Sequence, residues 1–353
     1  MPLEDLGYTD DLEQYRIENG LEAFTIGRVV AEHKERYVVK TADKEYDAEI
    51  LGNLRFSAQS RSDFPAVGDW VAIIAYDDDK ALIHAVLTRK SAIERQAVGK
   101  KGEKQIIATN IDKAFLVLAV DRDFSVNRIE RYLAICHSSK VEPIVVLGKI
   151  DLLDDDVVAK LKESVRKRIK EVPILTISNE SKQGIDELKK MLVKGKTYCL
   201  LGSSGVGKST LLNTLLGQQL MQTDAISEHS SRGRHVTTHR ELKVLESGGI
   251  IIDNPGMREI GMADSGTGIE VTFGTILELA NQCRFKDCSH TTETGCAVLA
   301  ALERGTIDSA SYENYLKMLR EQQHFESTVA EKRKKDKDFG KLMKNYKKGN
   351  YKK

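Results

Sequence analysis

A chain of 353 residues, 41% of them hydrophobic, can bury the cores of two or three domains. Its net charge of +1 hides an asymmetry, because residues 331–353 carry eleven Lys/Arg against three acids, +8, and leave −7 for everything before them. An odd count of five cysteines argues against a disulfide framework, the opening Met1-Pro2-Leu3-Glu4-Asp5 is no secretory leader, and no run approaches the roughly 18 consecutive apolar residues of a membrane span, so a soluble, cytoplasmic protein with no membrane partner is expected.

Residues 1–20 read as an acidic N-terminal extension with little patterning. Short β-type runs follow at 24–30, 37–40, 46–51, 67–74 and 82–87. Five short strands predict a small barrel over residues 21–95; an OB-fold fits that number, and periodicity alone does not separate it from other small β-barrels. From about Asn110 apolar strands at 114–120 and 143–147 alternate with helical patterns at 127–138 and 157–170, with further strands at 173–177, 198–201 and 249–252. That alternation predicts a parallel α/β domain over 105–275, its strands buried on both faces. A cysteine-rich segment and helical patterns at 297–304 and 312–325 form a third unit, residues 276–330. Residues 331–353 are a basic tail with Phe339, Tyr346 and Tyr351 among the lysines, a composition that usually marks a solvated end.

The segment Gly202-Ser203-Ser204-Gly205-Val206-Gly207-Lys208-Ser209 follows the apolar run 198–201 and opens, at Thr210, into a helix-forming stretch. This is the context a phosphate-binding loop requires: glycines let backbone N–H groups curl around phosphate oxygens, and the helix N-terminus adds partial positive charge. Lys208 is expected to reach the β- and γ-phosphates and Ser209 to ligate Mg²⁺. The plain alternative is a glycine-rich turn with no ligand.

Upstream, at the end of the strand 143–147, stands Lys149-Ile150-Asp151. A carboxylate can accept from both N1–H and the 2-amino group of guanine, a pairing adenine does not offer, so Lys-x-Asp beside a phosphate loop points to GTP, with the lysine stem along the base. Ordinary GTPases place this tripeptide after the phosphate loop; here it comes before. The residue ahead of the lysine is Gly148, where such loops usually carry an Asn that buttresses them. Ser178, in Thr176-Ile177-Ser178-Asn179, is placed like the loop that closes over the base through backbone N–H groups; the plain alternative is a strand end. Asp253-Asn254-Pro255-Gly256 has the form of the second switch, with Asp253 on Mg²⁺ through water and the Gly256 N–H on the γ-phosphate. The next residue, Met257, cannot orient water as the usual glutamine does. The polar loop 227–240 offers His235 for that task and Thr237 or Thr238 as the first-switch ligand of Mg²⁺.

Cys283, Cys288, His290 and Cys296 fall within fourteen residues, a Cys₃His set suited to one tetrahedral Zn²⁺ per chain. Four protein ligands leave no open position, so a structural ion is expected; the alternative is a group of free buried or redox cysteines.

The constellation resembles the circularly permuted, ribosome small-subunit-dependent GTPase A (RsgA) family, and the likeness spans the whole chain. It implies an α/β P-loop GTPase, circularly permuted, flanked by an N-terminal OB-fold β-barrel and a C-terminal helical zinc-binding domain. Gly233-Arg234-His235-Val236-Thr237-Thr238 is similar to the family's first switch, whose histidine is regarded as catalytic, alongside the phosphate-loop lysine, Lys208 here. The resemblance also implies a monomeric GTP hydrolase, using Mg²⁺ with GTP, that binds the small ribosomal subunit and its rRNA and assists late maturation. Competing readings are a nucleotide-gated rRNA-binding assembly protein in which hydrolysis is incidental, and a P-loop ATPase, against which Asp151 argues.

Overall fold

A computed structural model describes residues 1–33, 36–58, 60–96, 104–121, 124–217, 240–253, 266–327 and 331. The first twenty residues are folded despite their weak patterning. A 3₁₀ turn, Leu3–Leu6, leads into α1, Asp10–Glu18, whose first turn carries Asp10, Asp11 and Glu13 where the helix dipole favours acids. Their Leu6 and Leu12 are buried with Leu21, Ile26 and Trp70 against the barrel.

The barrel strands are β1, Thr25–His33; β2, Arg36–Lys40; β3, Glu45–Ile50; β4, Trp70–Ala75; and β5, Lys80–Val86, with a short helix α2, Gly52–Ser57, between β3 and β4. Alternation explains the inward set: Tyr37 and Val39 of β2, Ala48 and Ile50 of β3 and Ala81 and Ile83 of β5 fill the interior with Val29, Val71 and Ile73. The order β1-β2-β3-β5-β4 closes because β1 also pairs with β4, and only β3 and β5 run parallel. That is a five-stranded OB-type barrel. A register shift between Val29 and Ala31 bends β1, so that its first half pairs β4 and its second half reaches beyond the barrel.

A hairpin of β6, Ala92–Gln96, and β7, Lys104–Thr109, absent from the sequence reading, follows the barrel in the chain and precedes the α/β sheet. The sheet contains β8, Lys113–Ala119; β9, Glu142–Gly148; β10, Ile174–Thr176; β11, Thr197–Leu201; β12, Arg240–Val244; and β13, Ile250–Asp253. Its order is β10-β9-β8-β11-β13-β12, parallel except for β12. One face packs on α3, Val126–Ser138, and α4, Asp155–Arg168; the other on α5, Ile185–Lys190, and α6, Lys208–Leu216. From β8 the chain first builds outward through β9 and β10, then returns to add β11 on the opposite side. The order therefore reverses between β8 and β11, and ligands bind outside the carboxyl ends of strands at such a point.

Two further joints fix the layout. The second half of β1 pairs antiparallel with β12 (Ala31 with Glu241, Glu32 with Arg240), making barrel and α/β sheet one continuous eleven-stranded sheet. Helices α7, Gly266–Thr272, and α8, Gly274–Ala280, with α9, Ala297–Glu303, and α10, residues 309–327, share their core with α3. Across that seam the Glu130 carboxylate, almost fully buried, accepts from Arg168, Ser311 and Asn314. Among the described residues no helix is long and apolar enough to cross a membrane.

Candidate nucleotide site and metal centre

The candidate phosphate loop leaves β11, a strand buried along its whole length. At Gly202 a Cβ would stand 2.3 Å from the Val117 carbonyl oxygen of β8, so only glycine lets the loop turn beneath that strand. Ser203, Ser204 and Gly205 form the outer rim, Val206 is buried, and Gly207, at φ 95°, turns the chain into α6. Lys208, Ser209 and Thr210 occupy the first helical turn, where free N–H groups and the helix dipole favour anions. Lys208 Nζ donates to the Gly202 carbonyl at 2.7 Å and to that of Ser203, which holds the ammonium across the loop. Asp253 ends β13, and the register that sets Cys199 beside Ile252 places it at the same edge of the sheet.

The candidate base-reading loop leaves β9 at this edge too. Lys149 takes a left-handed backbone conformation, φ 63° and ψ 33°, and its Nζ pairs with Asp121 Oδ2 at 2.9 Å. Asp121 follows β8 and went unnoticed in the sequence; a carboxylate just beyond a strand at the reversal of strand order was the available signal. Asp151 Oδ1 accepts a hydrogen bond from Ser178 Oγ. Ser178 is fully buried, and its Oγ also accepts from the N–H groups of Glu180 and Ser181, at 3.1 and 3.0 Å. The two loops are tied together by backbone bonds, Ile177 N–H to Leu147 O at 2.8 Å and Ile150 N–H to Ile177 O at 3.4 Å. Asp151 itself is exposed, its carboxylate oriented by one oxygen. The structure thus brings Lys149, Asp151 and Ser178 together, and sets them beside the loop Gly202–Ser209. His235, Thr237, Thr238, Gly256 and Met257, and nearly all of the basic tail, lie outside the described residues.

The four expected metal ligands converge, with donor atoms all within 4.8 Å of one another. Cys283 Sγ lies 3.8 Å from Cys296 Sγ, and His290 Nδ1 lies 3.6 Å and 3.5 Å from those two sulfurs. A zinc tetrahedron with ordinary Zn–S and Zn–N bonds has S···S edges of about 3.8 Å and S···N edges of about 3.5 Å, so this donor set fits that ion. Cys283 follows α8, Cys296 caps α9 by accepting from the Leu299 N–H, and the His290 carbonyl accepts from Tyr312 Oη of α10 at 2.6 Å. Cys136 and Cys199 are core residues elsewhere, and burial pushes both thiols up, as expected of inert packing cysteines.

A candidate phosphate loop at the reversal of strand order, with a Lys-x-Asp loop that precedes it in the chain but lies beside it in space, is the arrangement of a circularly permuted P-loop GTPase. The RsgA GTPase family model matches residues 86–263, and the chain belongs to that family. A second model, ABC transporter, matches residues 185–353, a span that takes in the same phosphate loop. The small ribosomal subunit biogenesis GTPase RsgA 2 of Vibrio parahaemolyticus is 40% identical over 344 residues, covering 98% of this chain and 92% of that protein. The small ribosomal subunit biogenesis GTPase RsgA of Opitutus terrae is 43% identical over 334 residues, covering 91% and 90%. Among solved structures, YjeQ from Thermotoga maritima superposes with a TM-score of 0.62 at 29% identity, over 84% of this chain and 98% of that one. YloQ, described as a circularly permuted GTPase, gives the same TM-score, 0.62, at 21% identity over 86% and 96%, which speaks to the fold alone.

Proposed function

We propose that this chain hydrolyses GTP on the small ribosomal subunit, assists late maturation of that subunit, and is stimulated by it. The observation that carries the reading is that Asp151, hydrogen-bonded by Ser178, stands at the same edge of the sheet as the loop Gly202–Ser209. The relatives named for small ribosomal subunit biogenesis, which align over nearly the whole chain, support the partner.

In this reading Asp151 accepts from guanine N1–H and the 2-amino group, and Lys149, steered by Asp121, lies along the base. The backbone from Gly202 to Thr210 cradles the α- and β-phosphates, while Lys208 leaves its loop carbonyls to meet the β- and γ-oxygens. Ser209, Asp253 and one of Thr237 and Thr238 would hold Mg²⁺, which neutralises charge on the phosphates when bound. The Gly256 N–H would meet the γ-phosphate. His235 orients the attacking water in place of the glutamine that Met257 replaces.

The Cys₃His set would hold one structural Zn²⁺, stapling the end of α8, the start of α9 and, through Tyr312, α10. The domain limits 21–95, 105–275 and 276–330, a monomeric cytoplasmic protein, and rRNA contacts through the barrel and the tail 331–353 complete the proposal. Backbone phosphate contacts make such binding salt-dependent. His235→Ala tests the catalytic assignment: subunit-stimulated turnover should collapse while subunit binding survives. An unchanged rate would remove His235 from the mechanism.

A further inference from the structure

We propose that Asn179 is the side chain that locks the base-reading edge to the phosphate loop, doing from residue 179 what other GTPases do with an asparagine at the position of Gly148. The inference rests on the reading of Lys149–Asp151 as a guanine loop and concerns how this chain makes that loop rigid.

Gly148 is buried at the end of β9, yet nothing in its surroundings demands glycine. A Cβ built there would meet the Leu118 carbonyl at 3.6 Å, the Val206 carbonyl at 3.8 Å and Ile177 Cγ1 at 4.0 Å, all ordinary contacts. A side-chain amide at this position would therefore point among β8, the phosphate loop and the closing loop, with the Val206 carbonyl as an acceptor in reach. Glycine leaves that brace unmade.

Asn179 approaches the same place from the other side. Its Nδ2 lies 3.5 Å from the Gly207 carbonyl, one residue along the phosphate loop from Val206. The distance is the outer limit of a hydrogen bond, and bonds of this kind in ligand sites tighten when the ligand is bound. The approach is close enough that a Cβ on Gly207 would sit 3.4 Å from the same Nδ2. Asn179 Oδ1 is buried and has no partner among the described residues. Buried polar atoms are nearly always paired, so an amide kept half-satisfied here is held for its other end, the Nδ2 donor. The neighbouring Ser178 is already committed to Asp151, so one dipeptide would orient the base-reading carboxylate and brace the phosphate loop together. Asn179 is a positioning residue in this account, acting through Gly207 and the loop rather than on the reacting atoms.

Equilibrium binding of fluorescent GDP and GTP analogues to the full chain tests this with four proteins: wild type, Asn179→Ala, Gly148→Asn, and the double variant. Losing the brace should weaken nucleotide binding about 3- to 10-fold in Asn179→Ala, with KM for GTP rising in proportion and kcat within about twofold of wild type. Gly148→Asn alone should change little, and in the double variant it should restore affinity to within about twofold. A merely structural role for Asn179 would show no rescue from a residue on another loop. Asn179→Asp, which keeps the side-chain volume and removes the donor, should weaken binding at least as much as alanine and covers the case in which alanine disturbs folding. If the wild type binds no guanine nucleotide, the reading of the whole site fails. If it binds and Asn179→Ala binds equally well, or Gly148→Asn restores nothing, only this inference is overturned.

Discussion

Arg28→Met perturbs the joint on which the relative placement of barrel and GTPase sheet depends. Arg28 is 1% exposed, and its guanidinium donates to the carbonyls of Leu6 at 2.5 Å, Gly68 at 3.1 Å and Asn110 at 3.2 Å, and to Thr197 Oγ1 at 3.0 Å. It thus ties the N-terminal turn, the barrel, the hairpin and the first residue of β11 into one node. Burial lowers its pKa to about 10, with Asp112 and Asp69 opposing, so the group stays charged at neutral pH. Methionine keeps the stem's bulk but no donor. The Gly68 carbonyl would still accept from Asn110 Nδ2 at 3.0 Å, and the Thr197 hydroxyl can rotate. The carbonyls of Leu6 and Asn110 are left stranded, at about 1–3 kcal/mol each. Relief of the buried charge returns part of that, so a net loss of about 2–4 kcal/mol is expected. Urea unfolding followed through Trp70, the chain's one tryptophan, 5.6 Å from the guanidinium, reads the node directly. Arg36→Met, which removes an exposed pair with Glu49, is the control and should change stability by less than about 0.5 kcal/mol. An equally small effect for Arg28→Met would refute the node.

Asp151→Asn should weaken GTP binding by about 100-fold or more and gain affinity for xanthosine triphosphate, because an amide donates to the 2-oxo group where a carboxylate accepted from the 2-amino group; competition binding decides it, and unchanged GTP affinity would contradict it. Cys288→Ser should abolish the one zinc per chain measured by elemental analysis, and a stable wild type purified free of metal would contradict the structural ion. His137 Nδ1 contacts Thr272 Oγ1 at 3.0 Å, and that hydroxyl gives its proton to the Gly268 carbonyl at 2.7 Å, so Nδ1–H donates. Burial holds the His137 pKa below its ordinary 6.5, so the folded chain binds fewer protons than the unfolded one, and stability falls on acidification from about pH 6.5 until the folded-state value is passed. His137→Gln should flatten that part of the pH profile, and identical profiles would refute it.

The strands and motifs with local causes were legible in the sequence. The five barrel strands, the buried strand before Gly202 and the fourteen-residue Cys₃His span each carry their signal within one short window. What was not legible depends on distant partners. Arg28 in a strand reads as a surface residue, and its burial follows only from acceptors as far away as Thr197, 169 residues along the chain. The strand β12, Arg240-Glu241-Leu242-Lys243-Val244, reads as a polar edge, and its pairing with β1 exists only because the bulge beyond Val29 carries that strand out of the barrel. The hairpin β6–β7 was missed because its strands are short and interrupt their apolar residues with Glu94, Arg95 and Lys104. Helix α1 was missed because its apolar residues are few and Leu12 alone is buried. At the candidate site, spacing singles out Lys149 and Asp151 as base-reading candidates, while the contacts of Asp121 and Asn179 exist only once the loops are folded together.

GTP turnover by the full chain, measured with and without purified small ribosomal subunits and with ATP as competitor, decides whether this is a subunit-stimulated GTPase. Slow hydrolysis of GTP in preference to ATP, rising strongly when the subunits are added, is expected. Turnover that the subunits leave unchanged, or a preference for ATP, would contradict it.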